Sequence, residues 1–238
     1  MSGHSKWAQI KRSKGAKDAK RGILFSRLSK KITLAAKAGG TSDSTLNFQL
    51  RTEIENAKAQ GMPNENIERA AKKAFEKGAA EIKQALYEGY GPYGTAFLVE
   101  SATDNTNRAV QTIKHSFSKA GGSLGAMGSV SWQFASRGQI LIERSEDMES
   151  IQMIAIEAGA EDVVESAEGL EVYTRPDDLE RIKDYLEKSG AKIVGAEIIK
   201  SSSQLIVLEE EEQVKVQALI DELEDNEDVV AVHTNAIL

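Results

Sequence analysis

The sequence predicts an α+β chain: an N-terminal helical domain followed by two α/β domains of ferredoxin-like order, one inserted in the other. Three observations lead there. Apolar residues recur at helical spacing before residue 78, and strand-type patterns enter only from residue 81. Residues 139–199 read strand-helix-strand-strand-helix-strand, the ferredoxin-like order. The strand-helix-strand at 95–134 lacks a second half, which the final segment 205–238 can supply. The expected division is therefore a flexible basic arm at 1–17, a helical domain at 18–80, a middle α/β domain at 81–134 plus 205–238, and an inserted α/β domain at 135–204. A chain of 238 residues can bury a core in each.

The elements follow in order. Residues 18–38 read as a helix, with Phe25, Leu28, Ile32, Ala35 and Ala36 on one face. Arg27, Lys30 and Lys37 fall opposite, within about 80° at roughly 100° per residue. Gly39-Gly40 stops the helix. Asp43 or Ser44 can cap a second, with Leu46, Leu50, Ile54 and Ala57 as its buried stripe. Pro63 suits the first turn of a third helix, which buries Ile67, Ala70, Ala71 and Ala74.

Strands are expected at 95–100, 129–134, 139–143, 162–165, 170–174, 192–199 and 228–233, with a short one at 205–208. Helices are expected at 146–158, 176–188 and 210–224. One more, capped by Asp104, buries Val110, Ile113 and Phe117 and ends at Gly121-Gly122.

Charge is the strongest functional signal. Residues 1–40 hold eleven Lys/Arg against Asp18 alone, a net +10, so the remainder must carry −17 for the chain to total −7. Such a cationic end binds phosphate backbones by releasing their condensed counterions. Solvated charge without a partner is the alternative. The candidate nucleic-acid-binding residues are His4, Lys6, Trp7, Lys11, Arg12, Lys14, Lys17, Lys20, Arg21, Arg27, Lys30 and Lys37. Trp7 either stacks on an exposed base or anchors the arm to its own helical domain. Arg108, Lys114, His115 and Lys119 form a secondary surface or an ordinary solvated helix face. The acidic α/β domains are suited to a protein partner. No helix-turn-helix pair carries Asn, Gln or Arg in a base-reading pattern.

Other classes fit poorly. The chain has no cysteine, so disulfides, thiolate zinc sites and cysteine nucleophiles are excluded. His4, His115 and His233 are not at metal-ligand spacing, and neither metal nor cofactor is expected. Gly89–Gly94 matches G-x-G-x-x-G, but Pro92 interrupts it and a strand follows, so it reads as a tight turn. Gly121–Gly128 lacks a P-loop ending and reads as a plain connection or a close-approach loop. Glu209–Glu212 opens a helix, where negative charge favours the dipole. No activated nucleophile or acid–base pair is evident, so no catalytic residue and no enzyme is expected. No apolar run spans a bilayer, the apolar stripe of the basic helix is too short for firm membrane insertion, and no signal peptide is evident. A cytoplasmic location is expected.

Gly3-His4-Ser5-Lys6-Trp7, Lys17-Asp18-Ala19-Lys20-Arg21-Gly22, Tyr87-Glu88-Gly89-Tyr90-Gly91-Pro92 and Gly121-Gly122-Ser123-Leu124-Gly125 resemble the YebC/PmpR family. Thr103-Asp104-Asn105 and Gly128-Ser129-Val130 extend the likeness, which is specific over the first 134 residues and a matter of pattern beyond. The resemblance implies a three-domain, non-enzymatic cytoplasmic protein. Members are described as probable transcriptional regulators that bind DNA. A mitochondrial relative is described as a translational activator, and some bacterial members as ribosome-associated factors. The residues it carries over are His4, Lys6, Trp7, Lys11, Lys20, Arg21 and Lys30.

Overall fold

The computed structural model describes residues 18–76 and 82–238. The arm expected at 1–17 lies outside the described residues.

Three helices open the fold: α1 (Asp18–Ala38), α2 (Phe48–Ala59) and α3 (Asn64–Lys73). Leu28, Ile32, Ala35 and Ala36 of α1 share a core with Leu50, Ala57, Met62, Ile67, Ala70 and Ala71. Gly40 ends α1 in the left-handed region, φ 67°. The cap of α2 is Asn47 rather than Asp43 or Ser44. Its side-chain oxygen accepts from the Leu50 N–H at 3.1 Å, and its amide donates to the Ala35 carbonyl at 2.9 Å. One side chain thus ends one helix and starts the next. Asp43 instead closes a turn on Thr45. Leu46 precedes the cap, so it is off the helical stripe and 78% exposed. Pro63 sits at the N-cap of α3, one residue before the expected first turn.

The remaining chain forms two four-stranded antiparallel sheets. The first contains β1 (Lys83–Tyr90), β2 (Ala96–Thr103), β3 (Ser123–Leu124) and β9 (Val229–Thr234), in the order β3-β1-β2-β9. The second contains β4 (Phe134–Glu143), β5 (Asp162–Glu165), β6 (Gly169–Thr174) and β7 (Ile193–Ser202), ordered β5-β6-β4-β7. Helices α4 (Thr106–Lys119) and α7 (Glu210–Glu224) cover the first sheet. Helices α5 (Met148–Glu157) and α6 (Leu179–Lys188) cover the second. The chain leaves the first sheet after β3, completes the second, and returns through α7 to add β9. The two sheets are equivalent in order once β1, which comes first in sequence, takes the place that β6 holds in the other.

Each sheet has its own core. Phe97 meets Phe117 edge to face, ring centres 5.7 Å apart, among Val99, Ile113, Leu219 and Leu223. Ile140, Ile142, Leu170, Val172, Ile182 and Leu186 fill the other.

Three sequence expectations change here. Strand β1 was not evident, because its residues pair on both edges without a strict apolar alternation. The short segment near 205–208 is β8 (Ile206–Val207), which pairs in parallel with β10 (Ala236–Ile237) outside both large sheets. The strand expected at 129–134 is absent over 129–133, where Ser131–Gln133 form a single 3₁₀ turn, and Phe134 already opens β4. The reason is Glu88, only 3% exposed. Its carboxylate accepts from the N–H groups of Gly128 (2.7 Å), Val130 (2.8 Å) and Ser131 (2.8 Å), which a strand would have offered to a neighbour.

Gly89 of β1 is a packing requirement: a Cβ there would lie 2.8 Å from the Ser123 carbonyl and 2.9 Å from the Phe117 ring. Gly91–Thr95 closes the β1–β2 hairpin as the expected tight turn. Glu88→Ala leaves three backbone donors without their acceptor and is expected to cost about 3 kcal/mol. Glu88→Gln, which keeps one acceptor oxygen, is expected to cost less. Urea denaturation followed by tryptophan emission measures both.

Candidate nucleic-acid interface

His4, Lys6, Trp7, Lys11, Arg12, Lys14 and Lys17 lie outside the described residues. The other candidates sit on α1, whose apolar face is spent on the helical core, so its cations project from the remaining arc. Lys37 is exposed in the last turn, where a cation suits the helix dipole. The Arg21 guanidinium lies 5.7 Å from the centre of the Phe25 ring.

Lys20, Arg27 and Lys30 are brought together by an acidic segment that spans the last turn of α7 and the residues just beyond it. Lys20 pairs with Asp225 at 3.2 Å. Arg27 donates through Nη2 to the Glu224 carbonyl at 2.6 Å. Lys30 donates to the Glu227 carbonyl at 2.6 Å and to Asp228 Oδ1 at 3.1 Å. These carbonyls lie at and just beyond the C-terminus of α7, the negative end of its dipole.

The secondary surface on α4 meets the same segment from its other side. Arg108 grips Asp228 with both Nε (2.9 Å) and Nη2 (3.0 Å), and also pairs with Asp104 at 3.0 Å. These contacts raise the Arg108 pKa above its ordinary value, the Asp228 hydrogen bond most of all. Lys119 pairs with Glu222 at 2.8 Å. Lys114 and His115 are exposed on the same helix. The N-cap of α4 is Asn105, which accepts from the Arg108 N–H at 3.0 Å, so Asp104 is free to serve the Arg108 side chain instead.

Two groups that sequence reasoning did not single out complete the arrangement. Asp228 is buried beneath Lys30 and Arg108. Burial alone would raise its pKa, but the hydrogen bonds from Arg108 and Lys30 outweigh that and hold it below its ordinary value. Lys31, the neighbour of Lys30 in sequence, turns inward to Glu197 of β7 at 3.2 Å. Burial opposes its charge, yet Glu197, Glu53 and Glu100 together raise its pKa above the ordinary lysine value. Neither has a local sequence signature, because their partners lie on distant elements.

Behind these contacts α1 and both sheets enclose a cavity of about 600 Å³, lined among others by Leu24, Lys31, Phe48, Gln139, Ile198 and Val232. At its wall His233 Nδ1 accepts from the Lys200 N–H at 3.4 Å, so Nε2 carries the proton that faces Glu100 at 3.1 Å. The Lys200–His233 hydrogen bond joins the two sheets, whereas Glu100 and His233 both belong to the first. Among the described residues, no group of three or more His, Cys, Asp or Glu is placed to hold a metal, and no helix is long and apolar enough to cross a membrane.

Residues 5–86 match the TACO1/YebC N-terminal domain, and residues 82–236 match the TACO1/YebC second and third domain. The chain belongs to the TACO1/YebC family. Within that family it is 48% identical to a "probable transcriptional regulatory protein" of Thermoanaerobacter pseudethanolicus, covering 99% of this chain and 96% of that one. A namesake in Thermus thermophilus is 46% identical with the same coverage. The solved structure of a conserved hypothetical protein from Aquifex aeolicus superimposes with a TM-score of 0.87 at 43% identity, covering 98% of this chain and 96% of that one. The TACO1/YebC relatives thus carry the name of regulators, and the three-helix region and two α/β units are the family's architecture.

Because the folded pKa of Asp228 lies below the ordinary 3.8, its stabilisation is complete above that value and is lost as pH falls through the depressed one. Asp228→Asn removes the buried charge that pairs Lys30 with Arg108 and is expected to cost about 3 kcal/mol at neutral pH. The cost should shrink at an acidic pH below the ordinary 3.8, as the wild-type carboxylate protonates through its depressed value. Urea melts of both proteins at the two pH values measure the difference.

Proposed function

We propose that this chain is a non-catalytic regulator of gene expression that binds nucleic acid through its N-terminal arm and first helix. One observation carries the reading: a net +10 within residues 1–40 of a chain whose remainder totals −17. A polyanion is drawn to one end and repelled by the rest, so binding is confined without any base-specific contact. His4, Lys6, Lys11, Arg12, Lys14, Lys17, Lys20, Arg21 and Lys37 serve as phosphate contacts, and Trp7 adds stacking worth about 1–3 kcal/mol per base. Arg27 and Lys30 join them when released from the acidic segment. The α/β domains, with the boundaries expected from sequence, keep the polyanion at that end and offer an acidic face to a protein partner.

The relatives' shared name favours DNA and a role in transcription. A second reading, a translation factor on ribosomal RNA, is favoured by one feature of α1. Its Arg27 and Lys30 are engaged with peptide carbonyls rather than presented as a base-reading array. Recognition then rests on phosphate, which carries no sequence information and so suits a factor on ribosomal RNA better than one that must pick out a promoter.

Two measurements test this. Substituting Lys6, Lys11, Lys20 and Arg21 by Ala should weaken polyanion binding and flatten the slope of log K against log salt by about 0.7–0.9 per lost phosphate contact. An unchanged slope removes the arm from the interface. Sucrose-gradient sedimentation of lysate at low and high salt then separates the two targets. Salt-sensitive comigration with ribosomal particles selects the RNA reading, and absence from those fractions at both salts selects DNA.

A further inference from the structure

The contact between α1 and the acidic segment 222–228 differs in kind from the other contact the helical region makes. Against the second sheet that region is fastened firmly. Phe48 packs on the sheet's apolar core. Asn56 pairs with the Ala196 backbone in both directions, donating at 2.7 Å and accepting at 3.2 Å. Against the first sheet, among the described residues, no apolar cluster includes side chains of both α1 and that unit. What joins them among the described residues is the ring of Lys20, Arg27 and Lys30 around Glu224–Asp228, with the attraction of Lys31 to Glu100 across the 600 Å³ cavity behind it. An interface made of charge–carbonyl and charge–carboxylate contacts over a void opens at little cost in buried apolar area.

The oxygens that α1 meets come from one short stretch of chain. The Glu224 carbonyl, the Asp225 carboxylate, the Glu227 carbonyl and the Asp228 carboxylate are each taken by a cation of α1, a row of anionic and partly negative oxygens such as a polyanion also offers. The match is incomplete at Arg27, whose Nε is buried with no hydrogen-bond partner among the described residues. A phosphate supplies two oxygens to the Nε–Nη2 edge of a guanidinium, which a single carbonyl does not.

We propose that segment 222–228 is an internal stand-in for a phosphodiester backbone: it covers the basic face of α1 in the unbound chain, and bound nucleic acid displaces it. The inference rests on the nucleic-acid reading above and adds its regulation. The helical region stays with the second sheet, through Phe48 and Asn56, and parts from the first. The arm makes first contact, and α1 adds Arg27 and Lys30 only after the segment has left. Arg108 and Lys119 hold the segment on the far side, so it remains with α4 when α1 leaves.

The absence of native cysteine allows a direct test in the full chain. Lys20→Cys and Asp225→Cys are joined by a short bis-maleimide linker, and the linked and unlinked forms of the same variant are titrated with a fluorescein-labelled DNA duplex and a ribosomal RNA hairpin. The linked form is expected to bind both probes about tenfold more weakly, through loss of the Arg27 and Lys30 phosphate contacts. Equal affinity of the two forms overturns the inference and leaves the nucleic-acid reading standing. A wild-type chain that binds neither probe removes both. Hydrogen exchange on the wild type supplies an independent readout. Amides of 222–228 should exchange faster when DNA or RNA is added, and slower or unchanged exchange in the presence of a bound probe overturns the displacement.

Discussion

The ammonium of Lys31 is carried by α1 to the wall of the cavity between the units, where it stays 19% exposed and carboxylates from each side compensate it. Glu197 reaches it from the second sheet, Glu53 acts on it from α2, and Glu100 from the first sheet. One cation therefore sets the relative placement of three separately cored units. Because the pair keeps part of its exposure, it favours this arrangement without locking it, even where apolar contact between the units is thin. Glu100 shows the other half of the balance: burial opposes its charge, but His233 and Lys31 hold its pKa below the usual carboxylate value.

Around this point the chain uses polar groups as fasteners where a larger apolar interface is missing. Asn47 joins α1 to α2, Asn56 joins α2 to β7, and Glu88 gathers three backbone donors of the loop before β4. Each acts over a long sequence separation and fixes a backbone rather than another side chain. The acidic segment after α7 belongs to the same set, but with a difference of exposure. Asp228 is buried and paired from both sides, whereas Asp225 and Glu227 are open to solvent. The buried part keeps the segment folded, and the open part leaves it exchangeable with a competing anion.

This division gives the regulator reading its physical content. On the proposed reading, nucleic acid would be repelled by the acidic body except at the cationic end, which is partly occupied by the body's own acids and carbonyls. Affinity then depends on the balance between internal and external anions, which salt shifts for both. The fold contributes position and competition.

Much of the fold was legible in the sequence because it depends on local chemistry. The 3.6-residue spacing of Leu28, Ile32 and Ala35 marks α1 whatever it packs against, and Gly40 ends it because few other residues accept a positive φ. The order of strands and helices from 134 to 202 needs no knowledge of the neighbours. The polarity of charge is likewise a property of the chain alone. Tertiary structure decided what local pattern leaves open. Asn47 and Asn105 cap their helices although Asp43 and Asp104 stand close by, because those acids have nearer partners in Thr45 and Arg108. Residues 129–133 abandon the extended form because Glu88, some forty residues earlier, takes the N–H groups of Gly128, Val130 and Ser131. Lys30 and Lys31 are adjacent and identical in type, yet one meets Asp228 at the rim and the other Glu197 inside. A helix turns successive residues by about 100°, so neighbours in sequence face different partners, and which partners wait there is settled only when the chain has folded back on itself.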